Sequence, residues 1–141
     1  MNFKEIHIGT LINQTVTESG IEMSRICNFM NSTEKEIKAM FLQENLPTDI
    51  LLKWSKLLQY DFFRLYSQHL ILYAPPSAQL KKNSPKNQTL PQFRKNIYTK
   101  EIIDFILEQI SSEKMTKNEI IKRYKIPKTT LYKWIKKHGK Q

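Results

Sequence analysis

Apolar residues recur along the chain with the three- and four-residue spacing of helices, and no long stretch alternates apolar and polar residues as a strand would. Gly20, Asn31, Pro47 and Pro127 separate several of these stretches, and such residues end or interrupt helices. The pattern therefore predicts an all-α protein. The predicted helices cover residues 6–19, 22–30, 33–43, 48–59, 62–73, 99–110, 116–125 and 129–138.

Residues 74–97 interrupt the helical pattern. They contain four prolines, several lysines and many small polar residues, and such a composition cannot form a packed core. We interpret this stretch as a flexible basic linker. It divides the chain into a domain of five predicted helices at 1–73 and a domain of three at 98–141, both of them small.

The last two predicted helices form a tightly joined pair at the end of the chain. Thr116 and Glu119 have the spacing of a capping box, which marks the start of the first helix. Pro127 lacks a backbone N–H and disfavours the α conformation in the residue before it, so this helix ends near Lys125. Two helices joined by so short a turn have the layout of a helix-turn-helix, whose second helix lies in the DNA major groove.

The second helix of this pair has an apolar face and a basic face. Leu131, Trp134 and Ile135 recur at helical spacing and form the apolar face. We expect Trp134 to pack between Ile106 and Ile120 and so to form the centre of the domain core.

The basic face carries the candidate DNA-binding residues. Either Thr129 or Thr130 is expected to cap the helix, and hydroxyl and N–H groups at a helix start suit phosphate oxygens. Lysines act as point charges along the DNA backbone, and the aromatic Tyr132 lies among them. A solvated helical hairpin, whose lysines only keep it soluble, is the alternative. The candidates are Lys128, Thr129, Thr130, Tyr132, Lys133, Lys136 and Lys137.

The charge distribution favours a polyanionic partner. The formal net charge of +10 is the sum of −1 in residues 1–80 and +11 in residues 81–141. Each phosphate that such a surplus neutralises adds salt-sensitive affinity. An anionic membrane surface is less suitable, because the basic helix has no wide apolar face that is free of core contacts.

Neither export nor membrane insertion is indicated. The sequence contains no apolar run of about 18 residues and no basic and apolar leader at its start. A single cysteine, Cys27, cannot form an internal disulfide and fits a reducing cytosol. We therefore expect a cytoplasmic protein without membrane contact.

No catalytic or cofactor site is predicted. Each of the three aspartates lies in a predicted helix or at its end, and no strand pattern exists from which a two-metal nuclease fold could be built. The three histidines and Cys27 lack the spacing of metal ligands, and no Gly-rich loop marks a nucleotide site. We expect neither an enzyme nor a cofactor.

Residues 6–66 resemble the lambda-repressor/Cro-like DNA-binding domain. The matching pieces are Ile8-Gly9-x-Leu11-Ile12, Ile21-x-x-x-x-Ile26-Cys27, Ile37, Leu51-Leu52-x-Trp54-Ser55-x-Leu57-Leu58 and Tyr60-Asp61-Phe62-Phe63. This resemblance implies a five-helix bundle. The third helix opens with Glu34 and Glu36, however, and phosphates would repel these carboxylates. We therefore expect this domain to serve a structural role, to dimerise or to make only weak contacts with DNA.

Residues 99–137 resemble the helix-turn-helix of insertion-sequence transposases and of invertase/resolvase-type proteins. The pattern is Glu119-Ile120-Ile121-x-x-Tyr124-x-Ile126-Pro127-x-Thr129-Thr130-Leu131-Tyr132-x-Trp134. The resemblance implies sequence-directed binding of duplex DNA. It implies that the bases or nearby phosphates face Lys128, Thr129, Thr130 and Lys133, and that the DNA backbone is held by Tyr132, Lys136 and Lys137.

These features predict a double-stranded DNA-binding protein without a catalytic domain of its own. It would act as a transcriptional regulator or as the DNA-recognition protein of a transposable element. The almost wholly apolar helix Phe62–Tyr73 is the expected contact surface of a homodimer formed through the N-terminal domain. The alternative is a protein-interaction adaptor, antitoxin-like or phage-type, with a basic tail.

Overall fold

The computed structural model describes residues 2–75, 89–91 and 97–139, and within these residues all regular structure is helical. All the predicted helices are present, so the all-α prediction is confirmed. The helices are α1 Ile8–Ser19, α2 Met23–Met30, α3 Glu34–Phe41, α4 Thr48–Leu58, α5 Phe63–Tyr73, α6 Lys100–Ser111, α7 Lys117–Tyr124 and α8 Lys128–His138.

The chain forms two compact units, Asn2–Ser67 and a second unit from Gln68 onward. The sequence placed the end of the first domain at Tyr73, whereas the division falls between Ser67 and Gln68, inside helix α5. The predicted linker at 74–97 lies mostly outside the described residues.

The core of the N-terminal unit surrounds Trp54, whose side chain is fully buried and meets the ring of Phe41 at a centroid distance of 5.8 Å. Helix α1 packs against α3 and α4, and helix α2 packs against the same two helices. Each fully buried aliphatic side chain contributes about 1.5–3 kcal/mol to folding. The other buried core residues are Ile8, Ile12, Ile26, Met30, Ile37, Leu51, Phe62 and Leu65.

The start of helix α1 lies directly on the end of helix α3. The backbone N–H groups of Ile8 and Gly9 donate to the carbonyl oxygens of Glu44 and Gln43, each at 3.0 Å. His7 caps the helix, since its Nδ1 accepts from the backbone N–H of Thr10 at 3.2 Å. These bonds satisfy N–H groups that a helix start leaves without partners.

Helix α3 keeps its two acidic residues engaged within its own first turns. A capping box starts the helix: the carboxylate of Glu36 accepts from the backbone N–H of Thr33 at 2.7 Å, and the Thr33 hydroxyl accepts from the N–H of Glu36. Glu34 forms an ion pair with Lys38 at 2.6 Å. Both carboxylates that would face phosphates therefore already have partners on this helix.

The core of the second unit is smaller than that of the N-terminal unit. Leu131, rather than Trp134, lies at its centre. Leu131 is fully buried, as are Ile106 and Ile120, which were expected to enclose Trp134. Trp134 is only half-buried, and its ring meets that of Tyr98 edge-on at 4.8 Å. The prediction of a central tryptophan is therefore wrong: Leu131 fills the space between the helices, and Trp134 lies at the edge of the core, where it contacts Tyr98.

Helix α5 contributes to both units, which explains why it is apolar almost all round. Leu65 lies in the core of the N-terminal unit, whereas Leu72 is buried in the second unit. Also in the second unit, the buried Gln68 accepts a hydrogen bond from the hydroxyl of Thr99 at 3.1 Å. Thr99 occupies the N-cap position of α6, but its hydroxyl makes no capping bond to that helix.

Most of the helix predicted to mediate dimerisation is thus covered by its own chain. Only one large apolar side chain of α5, that of Leu70, is strongly exposed, at 58%. The wide apolar surface that the sequence indicated has an intramolecular use.

Candidate nucleic-acid interface

Helix α7 begins with the capping box that the sequence predicts. The carboxylate of Glu119 accepts from the backbone N–H of Thr116 at 2.7 Å and from its hydroxyl at 2.8 Å. These backbone and side-chain hydrogen bonds hold the pKa of Glu119 below its ordinary value. The carboxylate is therefore ionised at neutral pH and bound to the helix start.

A three-residue turn at 125–127 joins α7 to α8. Lys125 adopts the left-handed conformation, with φ of 54°, and ends α7 where the sequence predicted. Ile126 is almost fully buried and ties the turn to the core. Pro127 is extended, with φ of −58° and ψ of 136°, so helix α8 begins at the next residue, Lys128.

No side chain caps helix α8. The N-cap position is occupied by Pro127, so the prediction that Thr129 or Thr130 caps the helix is wrong. Both threonines lie inside the first turn instead, Thr129 exposed and Thr130 half-buried. The first intrahelical bond runs from the N–H of Leu131 to the carbonyl of Pro127, which leaves the earlier N–H groups of the helix without an intrahelical acceptor.

One face of α8 is polar and exposed along its full length. Thr129, Tyr132, Lys133 and Lys136 are all exposed and follow the i, i+3, i+4, i+7 spacing of a single helix face. We call these four residues the outer face. Lys128 and Lys137 are also exposed, and Thr130 is the one predicted site residue that is half-buried.

Helix α8 is held in place from the opposite side. It packs against α6 and α7, with Leu131 fully buried and Trp134 and Ile135 half-buried. The outer face therefore belongs to a helix that is packed on its opposite side. Its side chains project from a rigid element.

Tyr132 is flanked by two lysines, of which the sequence analysis identified only one as a site residue. The Nζ atoms of Lys117 and Lys128 lie 5.4 Å and 5.7 Å from the centroid of the Tyr132 ring. At these distances each ammonium group is attracted to the ring face. Lys117 thus joins the site from the first turn of α7, and no spacing rule within one helix could have indicated this contact.

The charge of this helical pair is strongly positive. Residues 117–138 contain eight lysines and arginines and one carboxylate. Their net charge is therefore +7 when His138 is counted as neutral. The two ion pairs found among the described residues, Lys38–Glu34 and Arg64–Asp61, both lie in the N-terminal unit. Among the described residues, the cations of α7 and α8 therefore form no ion pair with a carboxylate of the chain.

The remaining chemistry of the described residues is sparse. In ranges 2–75, 89–91 and 97–139, no group of three or more histidine, cysteine, aspartate or glutamate residues is placed to hold a metal ion. Over the same ranges, no helix is both long enough and apolar enough to span a membrane. Burial raises the pKa of Tyr98 and of Tyr124, which pack within the second unit.

Comparison with known proteins returned nothing: no family model, no curated protein and no solved structure matches the chain. The molecule is an all-α protein that presents an exposed basic helix beside a tight turn. The two resemblances drawn from the sequence stay predictions.

Proposed function

We propose that the second unit binds duplex DNA in a sequence-directed manner, with α8 as the recognition helix. The observation that carries the proposal is the outer face: Thr129, Tyr132, Lys133 and Lys136 are exposed together, while Leu131 anchors the helix from behind. The major groove is about 12 Å wide and admits an α-helix. An unpaired cationic face on such a helix suits the charge and the shape of the groove.

The groups around the outer face divide into two roles. The uncapped first turn of α8 and the lysines at its ends, Lys128 and Lys137, contact phosphates and set the position of the helix. Thr129 and Lys133 reach the base edges. Tyr132 lies between them on the outer face and reaches the bases as well, rather than the backbone as the resemblance implies. Duplex RNA is a poorer ligand, because its major groove is too narrow and deep for side chains to read.

In this proposal the protein is a transcriptional regulator or the DNA-recognition protein of a transposable element, and it has no catalytic domain of its own. The N-terminal unit positions the second unit, or joins two copies of the chain. Two copies on adjacent sites would gain affinity through avidity. That gain would offset the modest affinity expected of a single small unit.

Fluorescence anisotropy of labelled duplex DNA with the full chain tests the proposal. We expect binding that weakens steeply with salt, with a slope of log K against log salt of about −0.9 for each phosphate contacted. Lys133→Ala should weaken binding and leave the circular dichroism spectrum unchanged. Lys53→Ala, which removes an exposed lysine from α4 of the N-terminal unit, is the matched control and should have no effect.

A protein-interaction adaptor is the second candidate. Large apolar side chains are exposed on the N-terminal unit, among them Leu42 at 83% and Phe29 at 48%. An acidic protein partner bound tightly at high salt, together with absence of duplex binding at low salt, would favour the adaptor over the DNA-binding protein.

Sedimentation of the full chain tests whether two copies of the chain form a homodimer.

A further inference from the structure

The outer face of α8 lacks most of the side chains that read base edges with paired hydrogen bonds. Helix α8 has the sequence KTTLYKWIKKH, which contains no arginine, asparagine, glutamine, aspartate or glutamate. Asparagine and glutamine pair with adenine, acidic side chains accept from the amino group of cytosine, and arginine pairs with guanine. Of these paired readouts, only that of guanine is available to this helix, through lysine in place of arginine.

The outer face instead offers ammonium groups, a methyl group and an aromatic ring. Ammonium groups suit phosphates and the acceptor atoms of guanine. The methyl group of a threonine and the ring of an aromatic residue suit the C5-methyl group of thymine, which is the only methyl group that unmodified DNA presents in the major groove. Thr129 and Tyr132 carry these two apolar groups one helical turn apart.

The ring of Tyr132 is also restrained. Lys117 from helix α7 and Lys128 from helix α8 both lie within 6 Å of its centroid, at 5.4 Å and 5.7 Å. Tyr132 is 45% exposed, so it keeps a free surface while the position of its ring is supported from two helices. A restrained ring loses less conformational entropy on contact than a free one.

We propose that α8 recognises thymine through its C5-methyl group, with Thr129 and Tyr132 as the contacting residues. This inference rests on the proposed DNA-binding function and names its base preference. The preferred duplexes contain thymines at the positions that these two side chains face.

Replacement of thymine by deoxyuracil tests the inference, because it removes the methyl group and keeps the base pairing. The probe is the duplex that the full chain selects from a random pool, synthesised once with thymine and once with deoxyuracil. We expect affinity to fall about fourfold for each contacted methyl group, the value for one buried apolar carbon. The loss should depend on which thymine is replaced.

Thr129→Ser supplies the matched variant, since it keeps the hydroxyl and removes only the methyl group. If Thr129 contacts a thymine methyl, this variant should lose part of its affinity for the thymine duplex and show a smaller penalty for deoxyuracil. Tyr132→Ser should likewise reduce the penalty at a second thymine. Circular dichroism should show both variants folded, because both side chains are exposed.

Equal affinity of the wild-type chain for the two duplexes would overturn the inference and leave the proposed function standing. If deoxyuracil lowered the affinity equally in the wild type and in both variants, residues other than Thr129 and Tyr132 would make the methyl contact. That result would overturn the inference as well. Absence of binding to any duplex at low salt would overturn the proposed function itself.

Discussion

Gly9 lies where helix α1 meets the backbone carbonyl groups at the end of helix α3. A Cβ atom at this position would lie 2.6 Å from the carbonyl oxygens of Phe41 and Gln43 and would also collide with that of Met40. Backbone atoms cannot move aside as a flexible side chain can. The absence of a side chain at Gly9 therefore sets how closely the two helices approach.

We expect Gly9→Ala to destabilise the N-terminal unit by about 1–3 kcal/mol, as overpacked sites do. Alanine is the better helix former by about 1 kcal/mol, so a net loss would show that the overlap outweighs propensity. Urea denaturation followed by the fluorescence of Trp54, in a Trp134→Phe background, measures the effect. Asn13→Ala, at an exposed position of the same helix, should change stability little.

Leu131, and not Trp134 as the sequence predicted, lies at the centre of the core of the second unit. Leu131 is fully buried and Trp134 is half-buried. We therefore expect Leu131→Ala to destabilise the second unit by about 2–5 kcal/mol, and Trp134→Ala to cost less. Thermal unfolding monitored by circular dichroism compares the two variants, and a larger loss for Trp134→Ala would contradict the burial order.

At the scale of the element, the capping boxes of α3 and α7 make helix stability depend on pH. Hydrogen bonds from Thr33 and Thr116 lower the pKa of Glu36 and of Glu119 from the ordinary value of 4.5. A carboxyl group whose pKa is lower in the folded chain stabilises it above the unfolded pKa, and this stabilisation disappears as the pH falls through the folded pKa.

We accordingly expect the wild-type chain to lose stability as the pH drops below about 4.5, and the double variant Glu36→Gln, Glu119→Gln to lose less over the same range. Glutamine can still accept the capping bonds but does not titrate there. Urea midpoints measured across the acid range provide the comparison. The double variant Glu5→Gln, Glu108→Gln removes two exposed carboxylates outside both boxes and controls for the change in net charge; an equal effect of this variant would contradict the capping explanation.

Helix starts show how far the sequence could predict the local structure. Both capping boxes and the end of α7 before Pro127 could be predicted, because each depends only on residues within one turn. The roles of Thr99 and Thr129 could not be predicted from the residues next to them in this way. The hydroxyl of Thr99 bonds to Gln68, which lies 31 residues earlier, and the extended Pro127 starts α8 ahead of Thr129.

At the scale of the whole molecule, contacts between elements could not be predicted from spacing within one helix. Helix α5 and the candidate site both show this. Helical spacing predicts that Leu65 and Leu72 are buried but not that they belong to different units. The outer face of α8 follows from helical spacing, and six of the seven predicted site residues are exposed. The contribution of Lys117 depends instead on how α7 packs against α8, and this is a contact between helices.

The chain contains one tryptophan in each unit, and these residues allow the division at Ser67 to be tested. Trp54 is fully buried in the N-terminal unit, and Trp134 lies beside Tyr98 in the second unit. Trp134→Phe leaves Trp54 as the fluorescent probe of the N-terminal unit. Trp54→Phe leaves Trp134 as the probe of the second unit. Because Leu72 is 1% and Leu65 is 5% exposed, truncation of either to alanine should cost about 2–5 kcal/mol.

We expect Leu72→Ala to lower the urea midpoint reported by Trp134 and to leave that reported by Trp54 nearly unchanged. Leu65→Ala, on the same helix and with the same loss of side-chain atoms, should do the reverse. The reason is that each leucine fills the core of one unit only, and distant sites without shared partners behave independently. If each variant instead moved both midpoints by the same amount, the units would unfold as one cooperative structure, and the division within α5 would have no energetic meaning.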